Sequence, residues 1–586
     1  MQTPRGMRVF ALLLASVGSL TAAELVDWNL DAVTGPATNN TPFAGVVAAH
    51  ASVADKVAVG DLVSASSPSH NGLVWSSGNP WPNQLNLLVI VGNQVGFGDL
   101  QCNGGVNIAT NALDSLARDG IRFTQFTTTG GGAHAAQFAL LSGRVAARSG
   151  MGQSPPAAGA VGWRAEEWSL AEMLRRKGYQ TAFFGEWLMG DAPGSHPNDQ
   201  GFQVFHGLPY SLAMNPPLVA NRETVTAAPD PQTLLATLTA RAAEHIAEAA
   251  EPFALVFQPP VVVPATGASR GGPHGRRIEA LDAAIGQLLT ALANRGVADD
   301  TLVIFLATGG ARRTADGGSN GLFRDGAGTT WEGGLRVPLL ARLPGTLPAG
   351  QTNLSLLWLP DLMPTLAALT GAGLAPDRPL DGLPRPAAFT GTTTRPGGGE
   401  TAFGYRHHNG QWQVATVRQG KWKSHLAIAN IDPENTNPTT GSQLYDLHID
   451  AEERINRASQ QPAVLASLAA LAAQAAASLP PAGATDLPAP KDPVEGDVST
   501  VIESNGVTTV RYRFVRPADS LDDCYQIEHS DDLTGWHGLG IASFITSAEP
   551  LSGHREDVEI AVPLGTPPLD GPARFIRLRA QRPANP

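Results

Sequence analysis

From Asn86 onward the chain alternates two kinds of segment, and this alternation restricts the fold more than any other feature. Continuous apolar runs of strand length (Leu87 to Val91, Thr181 to Phe184, Phe253 to Phe257, Thr301 to Leu306, Val337 to Ala341) are separated by amphipathic helical stretches. The helical stretches include Ala109 to Arg118, Leu170 to Arg176, Thr233 to Ala249, Ile278 to Asn294 and Leu362 to Leu369. A strand apolar on both faces has to be covered on both faces. The pattern therefore predicts an α/β fold, a large mixed, mainly parallel sheet flanked by helices. Ligands of such sheets sit beyond the carboxyl ends of the strands.

Outside this region the texture changes. Residues 401–478 read as hairpin strands (Trp412 to Val417, Lys421 to Ile428, Gln443 to Leu447) followed by an Ala/Leu-rich helix, Ala463 to Ala477, which predicts a smaller α+β C-terminal subdomain. Residues 479–495 form a Pro-rich linker, and 496–586 alternate as strands do, predicting an appended all-β, sandwich-like module. Residues 24–83 suggest a β-rich extension without recognisable chemistry. In residues 1–23, Arg5 and Arg8 precede an apolar run ending at Thr21-Ala22-Ala23. This reads as a secretory signal, with an N-terminal membrane anchor as the alternative, so the expected location is periplasmic or secreted with no membrane span after signal removal.

The net charge of -12, without a basic block, disfavours nucleic acid as a partner. Cys102 and Cys524 are the two cysteines, too few for a disulfide framework or a cysteine zinc site.

A collinear series of motifs resembles the type I sulfatases of the alkaline phosphatase superfamily: NLLVIVGNQVGFGDLQCNGG (86–105), ALDSLARDGIRFTQF (112–126), ALLSGR (139–144), GYQTAFFGEWLMGD (178–191), TLVIFLATGG (301–310), SNGLFRDGAGTTWEGGLRVP (319–338) and LYDLHIDAEERIN (444–456). The resemblance implies a divalent cation, usually Ca²⁺, held by three Asp and one Asn. It also implies a Cys or Ser converted to formylglycine, with Lys, His and Arg around the sulfate.

At every position where the resemblance places one of these groups, this sequence has another residue. The metal positions fall on Asn93, Gln94, Thr308 and Gly309. The nucleophile falls on Ala133 and its companion Arg on Gln137. Glu186 and Leu188 stand for a Lys and a His, Val261 for a His and Ala327 for a Lys. Without carboxylates, nothing offsets the dehydration of a divalent ion, and Ala133 has no heteroatom to modify or attack with. A carboxylate in place of a Lys turns attraction to sulfate into repulsion, each on the order of 4 kcal/mol at ~4 Å and an effective dielectric of ~20. Neither the family's calcium nor its formylglycine is expected.

The leading expectation is therefore a catalytically inactive pseudo-sulfatase with a binding or structural role toward a glycan or protein ligand. A second reading keeps sulfuric or phosphoric ester hydrolysis through substitutes, His134 as base with Ser142 or Thr308 as nucleophile. A third places the function in the C-terminal module as a carbohydrate-binding unit, since YQIEHSDDLTGW (525–536) resembles β-modules appended to exported bacterial enzymes and Trp536 could stack on a sugar. Asp99 and Glu332 read as scaffold carboxylates. His407, His408 and His425 read as exposed polar surface rather than a metal cluster, and Gly130-Gly131-Gly132 as a flexible approach to a helix at Ala135.

Overall fold

A computed structural model of the chain describes residues 85–480 except 152–161, 165–166, 192–193, 261, 313–316, 375–378, 391–399, 409–410 and 427–440. Outside that range it describes the backbone of short strands at 63–64 and 73–74 and of strands between 497 and 580. The chain divides into two compact units. One comprises Trp81–Leu374 and Arg378–Leu487; the other comprises Met1–Pro80, Ala375–Asp377 and Pro488–Pro586.

In the first unit the elements follow the alternation of the sequence. They are β1 (Asn86–Gly92), α1 (Asn111–Arg118), β2 (Ile121–Phe123), α2 (Ala133–Ser142), α3 (Leu170–Arg176), β3 (Gln180–Glu186), β4 (Val204–Leu208), β5 (Leu218–Ala220) and β6 (Glu223–Thr226). There follow α4 (Pro231–Glu248), β7 (Phe253–Gln258), α5 (Gly272–Arg295), β8 (Thr301–Ala307), α6 (Glu332–Leu335), β9 (Leu339–Arg342), β10 (Gln351–Asn353) and α7 (Leu362–Thr370). These ten strands form one sheet in the order β10-β2-β9-β8-β1-β7-β3-β4-β5-β6. Its centre, β8-β1-β7-β3-β4, is parallel throughout, while β9 runs antiparallel to both β8 and β2.

Every residue of β1, β7 and β8 is buried, as continuous apolar strands require. The helices are set by local chemistry. Ser169 accepts from the Glu172 amide at 3.0 Å and Glu172 accepts from the Ser169 amide at 2.8 Å, a reciprocal cap that starts α3. Asp230 accepts from the Gln232 amide at 3.0 Å, and Pro231 supplies a first helical position without a wasted donor for α4. Several helices begin earlier than the sequence pattern indicates, among them α5 at Gly272 rather than near Ile278, α2 at Ala133 rather than Ala135 and α4 at Pro231 rather than Thr233.

A second, antiparallel sheet of β11 (Thr401–His408), β12 (Gln411–Gln419), β13 (Trp422–His425) and β14 (Gln443–Asp446) carries α8 (Pro462–Ala477) on one face. This is the smaller α+β subdomain. Its core of Val414, Val417, Leu444, Leu468 and Ala472 is continuous with Val145, Leu356 and Trp358 of the larger domain. A buried charge cluster crosses the same junction. Glu332 meets Arg336, Arg418 and Lys423, and Glu453 meets Lys423 at 2.9 Å and His425 at 2.7 Å.

In the second unit, two-residue strands at Val63–Ser64 and Leu73–Val74 pair antiparallel. Seven further strands follow: β15 (Asp497–Ser504), β16 (Val507–Pro517), β17 (Tyr525–Ser530), β18 (His537–Gly540), β19 (Ile545–Leu551), β20 (Arg555–Leu564) and β21 (Phe575–Ala580). They form two antiparallel sheets, β15-β16-β20-β19 and β18-β17-β21. The signal reading at 1–23, most of 24–83 and 479–495, Cys524 and Trp536 lie outside the described residues. Among the described residues, no helix is long and apolar enough to cross a membrane.

Candidate functional site

Parallel strands end on the same edge of a sheet, so β8, β1, β7 and β3 deliver the residues after Ala307, Gly92, Gln258 and Glu186 to one place. Helix α2 reaches the same place: Gln137 Nε2 donates to the Glu186 carbonyl and to Gln258 Oε1, each at 2.9 Å. The structure thus gathers Asn93, Gln94, Thr308, Glu186, Leu188 and Gln137 around one edge. Val261 lies outside the described residues.

The two metal-ligand pairs of the resemblance are bonded to each other. Thr308 Oγ1 donates to Asn93 Oδ1 at 3.0 Å, and the Thr308 carbonyl accepts from Thr128 Oγ1 at 3.0 Å. Gln94 adopts a left-handed backbone, φ 54°. Behind this loop, Arg277 donates from Nη1 to the Asn93 carbonyl (2.7 Å) and from Nη2 to the Gln94 carbonyl (2.8 Å). Burial lowers the Arg277 pKa to about 10, with Asp99 raising it and Arg312 lowering it, so the group stays cationic at neutral pH. Calcium does not fit these residues. The positions carry amide, hydroxyl and glycine in place of carboxylates, and no group of three or more His, Cys, Asp or Glu among the described residues is arranged to hold a metal.

The nucleophile position, Ala133, opens α2 after three glycines with φ 77°, 78° and 95°. Such positive φ values are ones that glycine adopts without strain, and a methyl group on Gly131 would overlap the Trp412 ring. His134 follows, 8% exposed, its Nε2 without a hydrogen-bond partner and its ring 6.3 Å from that of Trp412. The hydroxyl needed as its nucleophile is engaged elsewhere, Thr308 on Asn93 and Ser142 on the Phe138 carbonyl at 2.7 Å. No hydrogen bond joins His134 to either residue, so nothing in the described geometry activates a hydroxyl for ester attack.

Burial, with a smaller contribution from His407, lowers the His134 pKa from 6.5 to about 4. A base with a depressed folded-state pKa contributes stability that is complete above pH 6.5 and lost as the pH falls through 4. Between pH 7 and pH 4 the native protein should therefore lose about 3 kcal/mol more stability than His134→Gln, by urea unfolding at both values. Equal losses in the two proteins would contradict this.

The positions that the resemblance assigns to sulfate binding are bonded into the scaffold. Gln137 is fully buried, and its Oε1 accepts from the Leu188 amide at 2.8 Å, so one neutral amide ties α2 to the ends of β3 and β7. The Glu186 carboxylate, expected to face and repel an anion, accepts from the Leu212 amide at 2.7 Å and is bonded to Ser211. Burial pushes its pKa up, and these hydrogen bonds only partly reverse that. Ala327 contributes a methyl group, with its amide on the Ala311 carbonyl at 3.1 Å.

Three histidines depart from an exposed reading. His425 is buried against Trp331, ring centroids 4.0 Å apart, and bonded to Glu453. His407 is half-buried, with its ring 5.2 Å from that of Trp412, and His408 is half-buried beside it. Asp99 accepts from the Gly96 and Ser319 amides at 2.7 and 2.8 Å, as a loop-supporting carboxylate should, and from His274 Nε2 at 2.6 Å. His274 and Arg277 lie before Ile278, where the apolar stripe of α5 begins, so the sequence pattern does not single them out. Their i, i+3 spacing in Gly-Pro-His-Gly-Arg-Arg was the available signal.

A family model described as Sulfatase matches residues 85–260 and 272–372. Arylsulfatase A of Homo sapiens is 34% identical over 424 residues, covering 63% of this chain and 83% of the relative. Arylsulfatase G of Mus musculus is 31% identical over 366 residues, covering 52% and 69%. Among solved structures, Ps i-CgsB in complex with k-i-k-neocarrahexaose aligns with a TM-score of 0.60 at 23% identity, covering 69% of this chain and 95% of that one. The PsFucS1 sulfatase from Pseudoalteromonas sp. aligns at 0.59, also 23% identical, covering 67% and 90%.

Proposed function

We propose that this chain, which belongs to the sulfatase family, is an exported member that keeps the fold, has lost sulfate-ester hydrolysis, and acts by binding a ligand, with an oligosaccharide as the first class to test. The observation that carries the reading is the Thr308–Asn93 hydrogen bond, 3.0 Å, which closes on itself the place where two pairs of metal ligands would converge. Ala133 at the nucleophile position and the neutral Gln137 amide engaged on two strand ends support it further. The family's calcium and formylglycine do not fit these residues. The neighbour solved with k-i-k-neocarrahexaose supports the choice of ligand class.

The test is metal analysis of the purified full chain together with hydrolysis of 4-nitrophenyl sulfate in the presence of added Ca²⁺. Substoichiometric metal and turnover indistinguishable from a matched blank are expected. Stoichiometric Ca²⁺ or Mg²⁺ with turnover above the blank would sink the proposal.

A further inference from the structure

We propose that Arg277 is the resident cation of this site: its guanidinium holds the loop after β1 in the place of a divalent metal and keeps such a metal out. The inference rests on reading Asn93, Gln94, Thr308 and Gly309 as the metal-ligand positions.

Two successive carbonyls, of Asn93 and Gln94, converge on the one guanidinium at 2.7 and 2.8 Å. The two carbonyls each present a negative end to one nitrogen of the same guanidinium, and a charged donor makes the stronger hydrogen bond to each. A guanidinium has fixed, forked donors, is always charged, and is more weakly hydrated than an ammonium, so it suits a buried site. Arg277 is 8% exposed.

The cation is held from behind by a buried chain. Arg277 Nη2 also lies 3.0 Å from His274 Nδ1. A guanidinium only donates, so Nδ1 accepts, and the ring proton sits on Nε2, where it is donated to Asp99 Oδ2 at 2.6 Å. Asp99 is 1% exposed and His274 7% exposed. Asp99 is in turn fixed by the amides of Gly96, in the same loop, and Ser319. One buried carboxylate therefore balances one buried guanidinium through an imidazole, and none of Asn93, Gln94, Thr308 or Gly309 has to carry a charge. The neutral side chains at those four positions follow from the same arrangement. With carboxylates there, a divalent ion would still meet a fixed positive charge bonded to the backbone of two of its own ligands.

The experiment compares calcium binding, by calorimetry with CaCl2 alone, in three full-length proteins: the native chain, a variant carrying Asn93→Asp, Gln94→Asp, Thr308→Asp and Gly309→Asn, and the same variant with Arg277→Ser added. The proposal expects no binding by the native chain. It expects binding at least about tenfold tighter once Arg277 is removed from the ligand-restored variant, the size of effect of one charged hydrogen-bonding group. Equal calcium affinity with and without Arg277 would overturn the inference and leave the proposed function standing; stoichiometric calcium in the native chain would overturn the proposed function itself. A second measurement guards against variants that fail to fold. In the otherwise native chain, Arg277→Met should speed amide exchange in the loop 93–96 by at least about tenfold, with Arg277→Lys between the two. Unchanged exchange in that loop overturns the proposal whatever the calcium result.

Discussion

Glu332→Gln should lower stability by about 3–5 kcal/mol, the effect of removing one partner from a buried charge cluster. Glu332 is 1% exposed and meets Arg336, Arg418 and Lys423; Arg418 and Lys423 come from strands of the smaller subdomain. Burial is the largest single influence on Glu332 and raises its pKa. The three cations together more than reverse that and hold the carboxyl well below its usual range. An acid with a depressed folded-state pKa contributes stability at neutral pH that is lost as the pH falls, so the gap between the native chain and the variant should narrow in acid. The cluster holds three cations against two carboxylates, Glu332 and Glu453; deleting one carboxylate leaves guanidinium groups buried and uncompensated. The measurement is urea unfolding of the full chain at pH 7. Adding Arg336→Met to Glu332→Gln should recover part of the loss, because the guanidinium bonded to Glu332 is then no longer left buried without that partner. The solvent-exposed pair Arg118–Asp119 is the control, and Asp119→Asn should leave the unfolding midpoint where it was. A native-like midpoint for Glu332→Gln would show that the cluster does not join the two subdomains energetically.

Gly185→Ala should cost about 3–5 kcal/mol, combining backbone strain with overpacking. Gly185 sits one residue before the end of β3 with φ 139°, and an added methyl group would overlap the carbonyl of its partner Gln258 on β7. The chain must separate β3 from β7 to accommodate it. That separation would break the Gln137–Gln258 amide pair, 2.9 Å, at the edge where the candidate site lies. Gly178→Ala isolates the strain, since Gly178 also has positive φ, 91°, but open space around it. It should cost roughly 1 kcal/mol. Similar losses in the two variants, by thermal unfolding, would show that the collision is relieved without moving the strands.

The fold was legible because it is written in local periodicity. Phe253 to Phe257 has no polar residue to turn toward water, and Leu170 to Arg176 carries its own start signal in Ser169 and Glu172. The errors fell at helix starts. Gly272-Pro273-His274 and Ala133-His134 lie outside the apolar stripe, yet turn helical because glycine and proline before a helix suit its first turn. The site positions came from the resemblance to the sulfatases, and the structure places Asn93 and Thr308 directly after β1 and β8, bonded to one another. The bonding of the site was not legible: Glu186 was expected to face an anion, but its carboxylate is bonded to Leu212 and Ser211.

The sequence carried the architecture, because burial of apolar surface imposes periods of two and 3.6 residues that survive in any window of the chain. It also places a methyl group at Ala133, which has no heteroatom to attack with in any fold. The bonding at the candidate site was set by which strands lie side by side. The Thr308–Asn93 bond spans 215 residues, and the Arg277–Asn93 bond spans 184. No local pattern encodes a contact at that separation; it exists because β1 lies beside β8 and α5 returns the chain to their shared edge.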